Sequence, residues 1–320
     1  MLQMLVENGK ILFELLGTVG AFLLTLIATS SLQGVLPADQ GREFAHDGSL
    51  SRGKPRGAGI IFVLVFVLSM SLCAKLNAEI IIYLVLLTLA MLTGFLDDAA
   101  KNPWGEYKKG FLDFVIAALV AVTYLHYNGN VITIALLDIQ VAIPKVLFVI
   151  LAIILVWVSI NVTNCTDGVD GLSASVTIVT LISIYAVFQI MGVQDDSAYM
   201  IPVFVSCLLA YLWYNATPSK LLMGDAGSRA MGLLISIMVL KTGSPLLYIP
   251  LAIVLIADGG IGLVKVSLKR FLKISILKNT ITPLHDHVRK NKGWSNTHVV
   301  FRFVIIQVMV SFVVCYLLKL

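Results

Sequence analysis

Charged residues are scarce: Asp, Glu, Lys and Arg make up only 13% of the 320 residues, against about 25% in soluble domains. A chain so poor in charge cannot solvate a globular surface. With 58% hydrophobic residues and a mean hydropathy of +0.94, it reads as an integral membrane protein. Cysteine is also sparse, and Cys73, Cys165, Cys207 and Cys315 form no C-x-x-C pair. That pattern suggests neither a thiol zinc site nor a disulfide framework, and Cys73, Cys207 and Cys315 read as helix packing. No repeat of solenoid length recurs. A cleavable leader is not expected either, because Glu7 and Glu14 flank a lone Lys10 and the apolar run over 11–36 exceeds an h-region. The net charge of +5 leaves an anionic partner open, but in a membrane protein the distribution of charge says more than its sum. No nucleic-acid partner is expected.

What is present is a series of apolar runs. Their lengths predict an all-α, polytopic protein with about ten transmembrane helices, near 11–36, 58–76, 79–96, 111–127, 141–160, 172–192, 198–217, 228–241, 246–264 and 299–318. We read residues 1–320 as one transmembrane domain. Eighteen of the twenty-three Lys and Arg residues lie in one set of alternate connections, while Lys10, Lys75, Lys145, Lys241 and Lys319 lie in the other. The positive-inside rule puts the first set in the cytoplasm and both termini outside. The basic stretch over 265–273 reads as the ninth helix continuing into the cytoplasm, where Lys and Arg meet anionic membrane lipid.

Four polar clusters fall on that cytoplasmic side: Gly94-Phe95-Leu96-Asp97-Asp98, the stretch 161–171, Met223-Gly224-Asp225-Ala226-Gly227-Ser228, and Pro283-Leu284-His285-Asp286-His287. One site assembled from four loops is the economical reading. Asp97 and Asp98 close the third span, where adjacent carboxylates call for a cation; a metal ligand, a general base or a solvated helix end would each fit. Lys101 and Lys108 are candidates for substrate phosphates, or simply positive-inside residues. Glycines around Asp225 leave its carboxylate accessible to an ion, and a helix starting near Ser228 would favour an anion; a turn with an N-cap fits equally. In 161–171, Asn161, Asn164, Asp167 and Asp170 resemble a calcium loop only faintly. They suit a hydrogen-bonding ligand such as a nucleobase better, with an Asx-rich turn as the bland alternative. His285 and His287, with Arg289, Lys290 and Lys292 nearby, suit phosphate better than zinc. A transporter would instead use mid-span ionisable groups, for which Glu14, Asp113 and Asp258 are the few candidates.

Taken in order, these motifs resemble the polyprenyl-phosphate N-acetylhexosamine-1-phosphate transferase superfamily over nearly the whole chain. Gly41-Arg42-Glu43-Phe44, the 283–287 stretch, Lys292-Gly293-Trp294 and Arg302-Phe303 resemble its muramoyl branch. The resemblance implies a Mg²⁺-dependent transferase in the bacterial inner (plasma) membrane, with its active site facing the cytoplasm. Its substrates would be UDP-N-acetylmuramoyl-pentapeptide and undecaprenyl phosphate, its products lipid I and UMP, and its assembly a homodimer. A sister enzyme that transfers N-acetylglucosamine-1-phosphate is the alternative. Carried over by motif, Asp225 would ligate the metal with Asp97 and Asp98, and Asn164, Asp167, Asp170 and Asn215 would hold the uridine. Lys101, Lys108, His285 and His287 would contact phosphates or orient the acids, and Arg52 would stand for the branch's lysine. Three departures stand out: Asp286 replaces the middle of three histidines, Arg52 falls in a rewritten motif, and Leu222 replaces an aromatic beside uracil.

Overall fold

The computed structural model describes residues 9–41, 51–100, 102 and 104–320. Seven described helices are long and apolar enough to cross a membrane, or eight if one bent pair counts as a single span. In chain order the helices are α1 (Lys10–Leu32), α2 (Gly59–Cys73), α3 (Ala78–Asp98), α4 (Glu106–Asn128), α5 (Lys145–Thr166), α6 (Leu172–Ile190), α7 (Met200–Asn215) and α8 (Gly224–Lys241). The bent pair Pro245–Leu251 and Ile253–Leu272 follows, then the short Leu284–Lys292 and the last helix Asn296–Leu317.

Each of the ten expected segments contains a helix, but two fall short as independent spans. Helix α2 has only 15 residues, and α8 carries Asp225, Arg229 and Lys241. The architecture is also not purely helical. Strands β1 (Val131–Ile134) and β2 (Ile139–Ala142) form an antiparallel hairpin between α4 and α5. The span expected from 141 therefore begins at Lys145, because β-branched residues on both sides of a turn at Asp138 (φ 52°) pair with each other instead.

Every residue of α8 is buried. It runs through the middle of the bundle, against α3 and α5 along most of its length and α2 and α6 on other sides. That position explains how a helix carrying three charged residues is tolerated, since each finds a protein partner away from lipid. At its C-terminal end, Lys241 Nζ lies 2.8 Å from Glu79 Oε2, Asp195 Oδ2 and Asn128 Oδ1. A cation there also complements the helix dipole. Its N-terminal end carries Asp225, about 25 Å away at 1.5 Å per residue. Around this axis the lipid-facing surfaces of α1, α5 and the last helix expose Ile11, Ile27, Val146, Ile154, Phe301 and Phe312, as the apolar composition requires.

The pair Pro245–Leu251 and Ile253–Leu272 is bent by 69°, at Ala252, whose φ of −123° leaves the helix. A bend exposes backbone groups that lipid cannot satisfy. Gln307, fully buried on the last helix, supplies the partners: Oε1 accepts from Val254 N at 3.1 Å and Nε2 donates to Pro250 O at 3.2 Å. Gln307→Leu keeps most of the volume and removes both bonds. We expect it to cost about 1–3 kcal/mol, read as a lower melting temperature in detergent. An unchanged melting temperature would show that the bend holds without this clamp. The second limb runs on to Leu272, so the basic stretch continues the helix as expected.

Candidate active site

Pro55 and Arg56 bridge Ala38 on one side and Leu222 on the other. Arg56 N donates to Pro37 O (2.8 Å), Leu222 N to Pro55 O (2.8 Å) and Ala58 N to Leu222 O (3.0 Å). This pairing aims Arg56 at the C-terminal end of α3. Its Nε donates to Asp98 Oδ1 at 2.8 Å, Nη1 to Asp39 Oδ1 at 2.8 Å, and Nη2 lies 3.7 Å from Asp225 Oδ1. One planar guanidinium thus meets three carboxylates, a task a lysine could not share out in the same way. Burial opposes charge on both Asp39 and Arg56, but their mutual attraction and the Ser51 hydrogen bond hold the Asp39 carboxyl below its ordinary value. The surrounding acids likewise push the Arg56 pKa above its ordinary value. The link is therefore fully ionised at neutral pH and is lost only as pH falls through the carboxylate range.

The second cation is Lys109, in the first turns of α4. Its Nζ lies 2.5 Å from Asp97 Oδ2 and 3.5 Å from Asp225 Oδ2. Asp97 Oδ1 accepts from Trp104 N at 2.7 Å, and Asp98 Oδ2 from Ala226 N, in the first turn of α8, at 3.2 Å. Asp97 and Asp98 therefore have every oxygen engaged. Asp225 has longer contacts to the two cations and a side-chain hydrogen bond from Asn164, and it alone of the three lines the adjoining cavity.

Helix α8 starts at Gly224, not at Ser228, which places Asp225 in its first turn. Gly224 has φ +66°, and a Cβ there would stand 2.1 Å from Asp98 Oδ2. Only glycine lets the α3 and α8 acids come this close.

Several expected residues move. Arg52 is exposed on the turn before Pro55, and Arg56 occupies the cluster instead. Lys108 stacks on Trp104, 3.3 Å from the ring centroid, while its neighbour Lys109 reaches the acids. Lys101 lies outside the described residues, as do Arg42, Glu43 and Phe44. The stretch 161–171 is not all loop: Asn161 and Asn164 belong to the last turns of α5. Both line the cavity, and Asn164 Nδ2 donates to Ser228 Oγ at 2.8 Å. Asp167 caps the helix.

Asp170 and Asn215 stand apart from that cavity and tie loops together. Asp170 Oδ2 accepts from Ser219 N (3.0 Å), and Ser219 Oγ accepts from Lys54 Nζ (2.9 Å). Asn215 bridges Gly171 N at 2.8 Å and Leu221 O at 2.9 Å.

The 283–287 stretch is not a loop but enters the helix Leu284–Lys292. His285 Nδ1 lies 2.8 Å from Asp258 Oδ2, and its backbone N donates to Asp258 Oδ1 at 2.7 Å. Both residues are buried. Facing a carboxylate, Nδ1 is the donor, and Nε2 is the ring nitrogen turned away from Asp258. It points at Gly168, where a Cβ would be only 2.3 Å from Nε2, so the histidine packs directly on the 167–170 turn. His287 Nδ1 accepts from Ile281 N at 3.2 Å, and Asp286 pairs with Arg289 at 3.3 Å. Asp258 sits in a π-helical turn, Ile256–Gly260, a feature frequent at functional positions. It had no partner in sight from the sequence, and neither had Arg56, Lys109 or the Asp113–Arg229 pair. Asp113 and Asp258 each take a separate cationic or imidazole partner and do not form a path with Glu14 across the bundle. We expect Asp258→Asn to misorient His285 and lower turnover about 10- to 100-fold with KM for the nucleotide substrate little changed. Wild-type turnover in this variant would remove the pair from the site.

The cavity beside Asp225 measures about 690 Å³. It is lined by polar residues, among them Arg56, Lys109, Asn164 and Asp225, and by apolar ones, Phe111, Phe114, Leu263, Val266 and Phe271. Such a space suits a ligand with a charged head and a hydrocarbon tail. Among the described residues no three His, Cys, Asp or Glu side chains converge as a self-sufficient metal cage. Mg²⁺ does not require one, since it commonly takes one or two carboxylates plus substrate phosphates and water. Asp225, on the cavity wall with both cations at 3.5 Å or more, fits that mode.

Residues 80–243 match the family described as "Glycosyl transferase family 4". The chain is 39% identical over 304 residues to a protein of Treponema pallidum named phospho-N-acetylmuramoyl-pentapeptide-transferase, an alignment covering 89% of this chain and 84% of that one. Proteins of the same name from Ruegeria pomeroyi (30% identical, 92% and 91% covered) and Brachyspira hyodysenteriae (27%, 82% and 80%) also match.

Proposed function

The chain belongs to glycosyl transferase family 4 and, within it, to the phospho-N-acetylmuramoyl-pentapeptide-transferases, and we infer from this that the acids and bases where α3 meets α8 are its catalytic centre. It is a multi-pass membrane enzyme that makes lipid I, the lipid-linked product of phospho-N-acetylmuramoyl-pentapeptide transfer. The observation that carries the assignment of the centre is Asp225, held between Arg56 and Lys109 at 3.7 and 3.5 Å on the wall of a cavity lined by both polar and apolar residues.

The donor in this reading is UDP-N-acetylmuramoyl-pentapeptide and the acceptor undecaprenyl phosphate. An oxygen of the lipid phosphate attacks the donor's β-phosphorus, the bond from that phosphorus to the bridging oxygen breaks, and UMP leaves. The acceptor phosphate is already largely ionised near pH 7, so no strong base is needed. Phosphoryl transfer of this kind depends on positioning and charge neutralisation. Arg56 and Lys109 would turn from Asp225 to phosphate oxygens as the diphosphate enters. Asp97 and Asp98 hold those two cations in place, Asn161 and Asn164 contact the ligand from α5, and Asp167, Asp170 and Asn215 shape the nucleotide end. His285 and His287 orient the 167–170 turn and the phosphate side. Asp225 would hold Mg²⁺, with Asp97 and Asp98 beside it, and the bound ion supplies further neutralisation of phosphate charge.

The excess of Lys and Arg in alternate connections supports ten segments traversing a bacterial plasma membrane, termini outside and the centre facing the cytoplasm. Residues 1–320 then act as one domain, expected as a homodimer. Offering purified protein UDP-N-acetylmuramoyl-pentapeptide or UDP-N-acetylglucosamine, with prenyl phosphate and with or without Mg²⁺, tests the reading. UMP release is expected from the muramoyl donor only and with Mg²⁺ only. Release from the glucosamine donor instead would assign the sister activity, and trapping of a phospho-enzyme from donor alone would refute direct attack.

A further inference from the structure

One buried ion pair on the cavity wall is not used by any of the motifs. Asp113, on α4, pairs with Arg229, one turn beyond Asp225 on α8; Arg229 Nε donates to Asp113 Oδ1 at 3.0 Å, and Nη2 donates to the same oxygen. Arg229 is 2% exposed and Asp113 3%. The remaining guanidinium nitrogen, Nη1, is buried and has no hydrogen-bond partner, although both residues line the cavity. A buried charged donor left unmatched is costly, and it calls for an explanation. Phe111 and Phe114 flank Asp113 in the chain and line the same cavity.

We propose that Arg229 is a further substrate-binding residue, whose Nη1 donates to a phosphate oxygen at the end of the cavity where the hydrocarbon begins. Asp113 holds the fork by its other two nitrogens and fixes its direction. The proposal rests on the phosphoryl-transfer reading. The phosphate belongs either to the lipid acceptor or to the nucleotide donor, and the flanking phenylalanines favour the lipid.

The test replaces both charges together, Asp113→Asn with Arg229→Gln, so that neither is left buried alone, and adds Arg229→Lys as the conservative single change. Binding of a short-chain prenyl phosphate and of UMP is measured by calorimetry in detergent, alongside KM and kcat for each substrate. The double variant is expected to bind prenyl phosphate about 10- to 100-fold more weakly, with matching UMP affinity and a rise in KM for the lipid alone; Arg229→Lys should fall between. A rise in KM for the nucleotide donor alone would still assign Arg229 to phosphate and name the donor as its source. Unchanged affinities and KM values in the double variant, with or without a lower melting temperature or kcat, would overturn the proposal. So would wild-type protein that binds neither ligand. Wild-type protein that binds both but releases no UMP would refute the transferase reading, while the binding comparison still decides the role of Arg229.

Discussion

Asp225→Asn is expected to lower turnover by at least about 1000-fold while leaving the melting temperature unchanged or slightly raised. The two halves of this result have different origins. Asparagine has the shape of aspartate but not its charge, so it cannot hold a divalent cation against phosphates, and it weakens the field that orders Arg56 and Lys109. The fold loses little. Asp225's contacts to these cations are long, 3.7 and 3.5 Å, whereas Asp97 and Asp98 keep theirs at 2.5 and 2.8 Å. Removing one of three crowded carboxylates also relieves repulsion. Retained turnover would take Asp225 out of the centre, and loss of folding would make its role structural.

Arg56→Gln should behave differently, damaging both stability and turnover. Arg56 is the common partner of Asp39 and Asp98, whose side chains are 1% and 0% exposed. Breaking a buried pair by removing one partner costs about 3–5 kcal/mol, and here one cation serves two buried acids. Asp98 would then be free to shift, and with it the N-terminal turn of α8 that it contacts through Ala226 N at 3.2 Å. A fall of many degrees in melting temperature together with loss of activity is the expected result. Arg56→Lys should recover part of the stability but little of the turnover, because an ammonium cannot span the same acids. Wild-type stability in Arg56→Gln would mean that the acids find other partners.

The contrast between these variants shows what was legible from sequence. Asp97, Asp98 and Asp225 stood out because acids are rare between apolar runs, and their neighbourhood followed from the Lys and Arg count. Arg56 was missed in favour of Arg52 because its direction is set by pairing with Leu222, a contact far away in the chain. Lys109 lost to Lys108 because one residue is about 100° of rotation on a helix, and the phase depends on where α4 starts. The i, i+4 spacing of Lys109 and Asp113 was the available signal, since both face the site. Asp258 looked solitary because His285 reaches it only after the 69° bend. The hairpin was hidden by its own composition: Val131, Ile132, Ile134, Ile139 and Val141 suit a strand pair or a membrane segment equally.

The most direct measurement is the stoichiometry of products from purified wild-type protein given UDP-N-acetylmuramoyl-pentapeptide, prenyl phosphate and Mg²⁺. One UMP should appear for each lipid-linked N-acetylmuramoyl-pentapeptide diphosphate formed, and none without the lipid. Release of UDP in place of UMP, or of UMP with no lipid acceptor present, would contradict phospho-sugar transfer at the Asp225 centre.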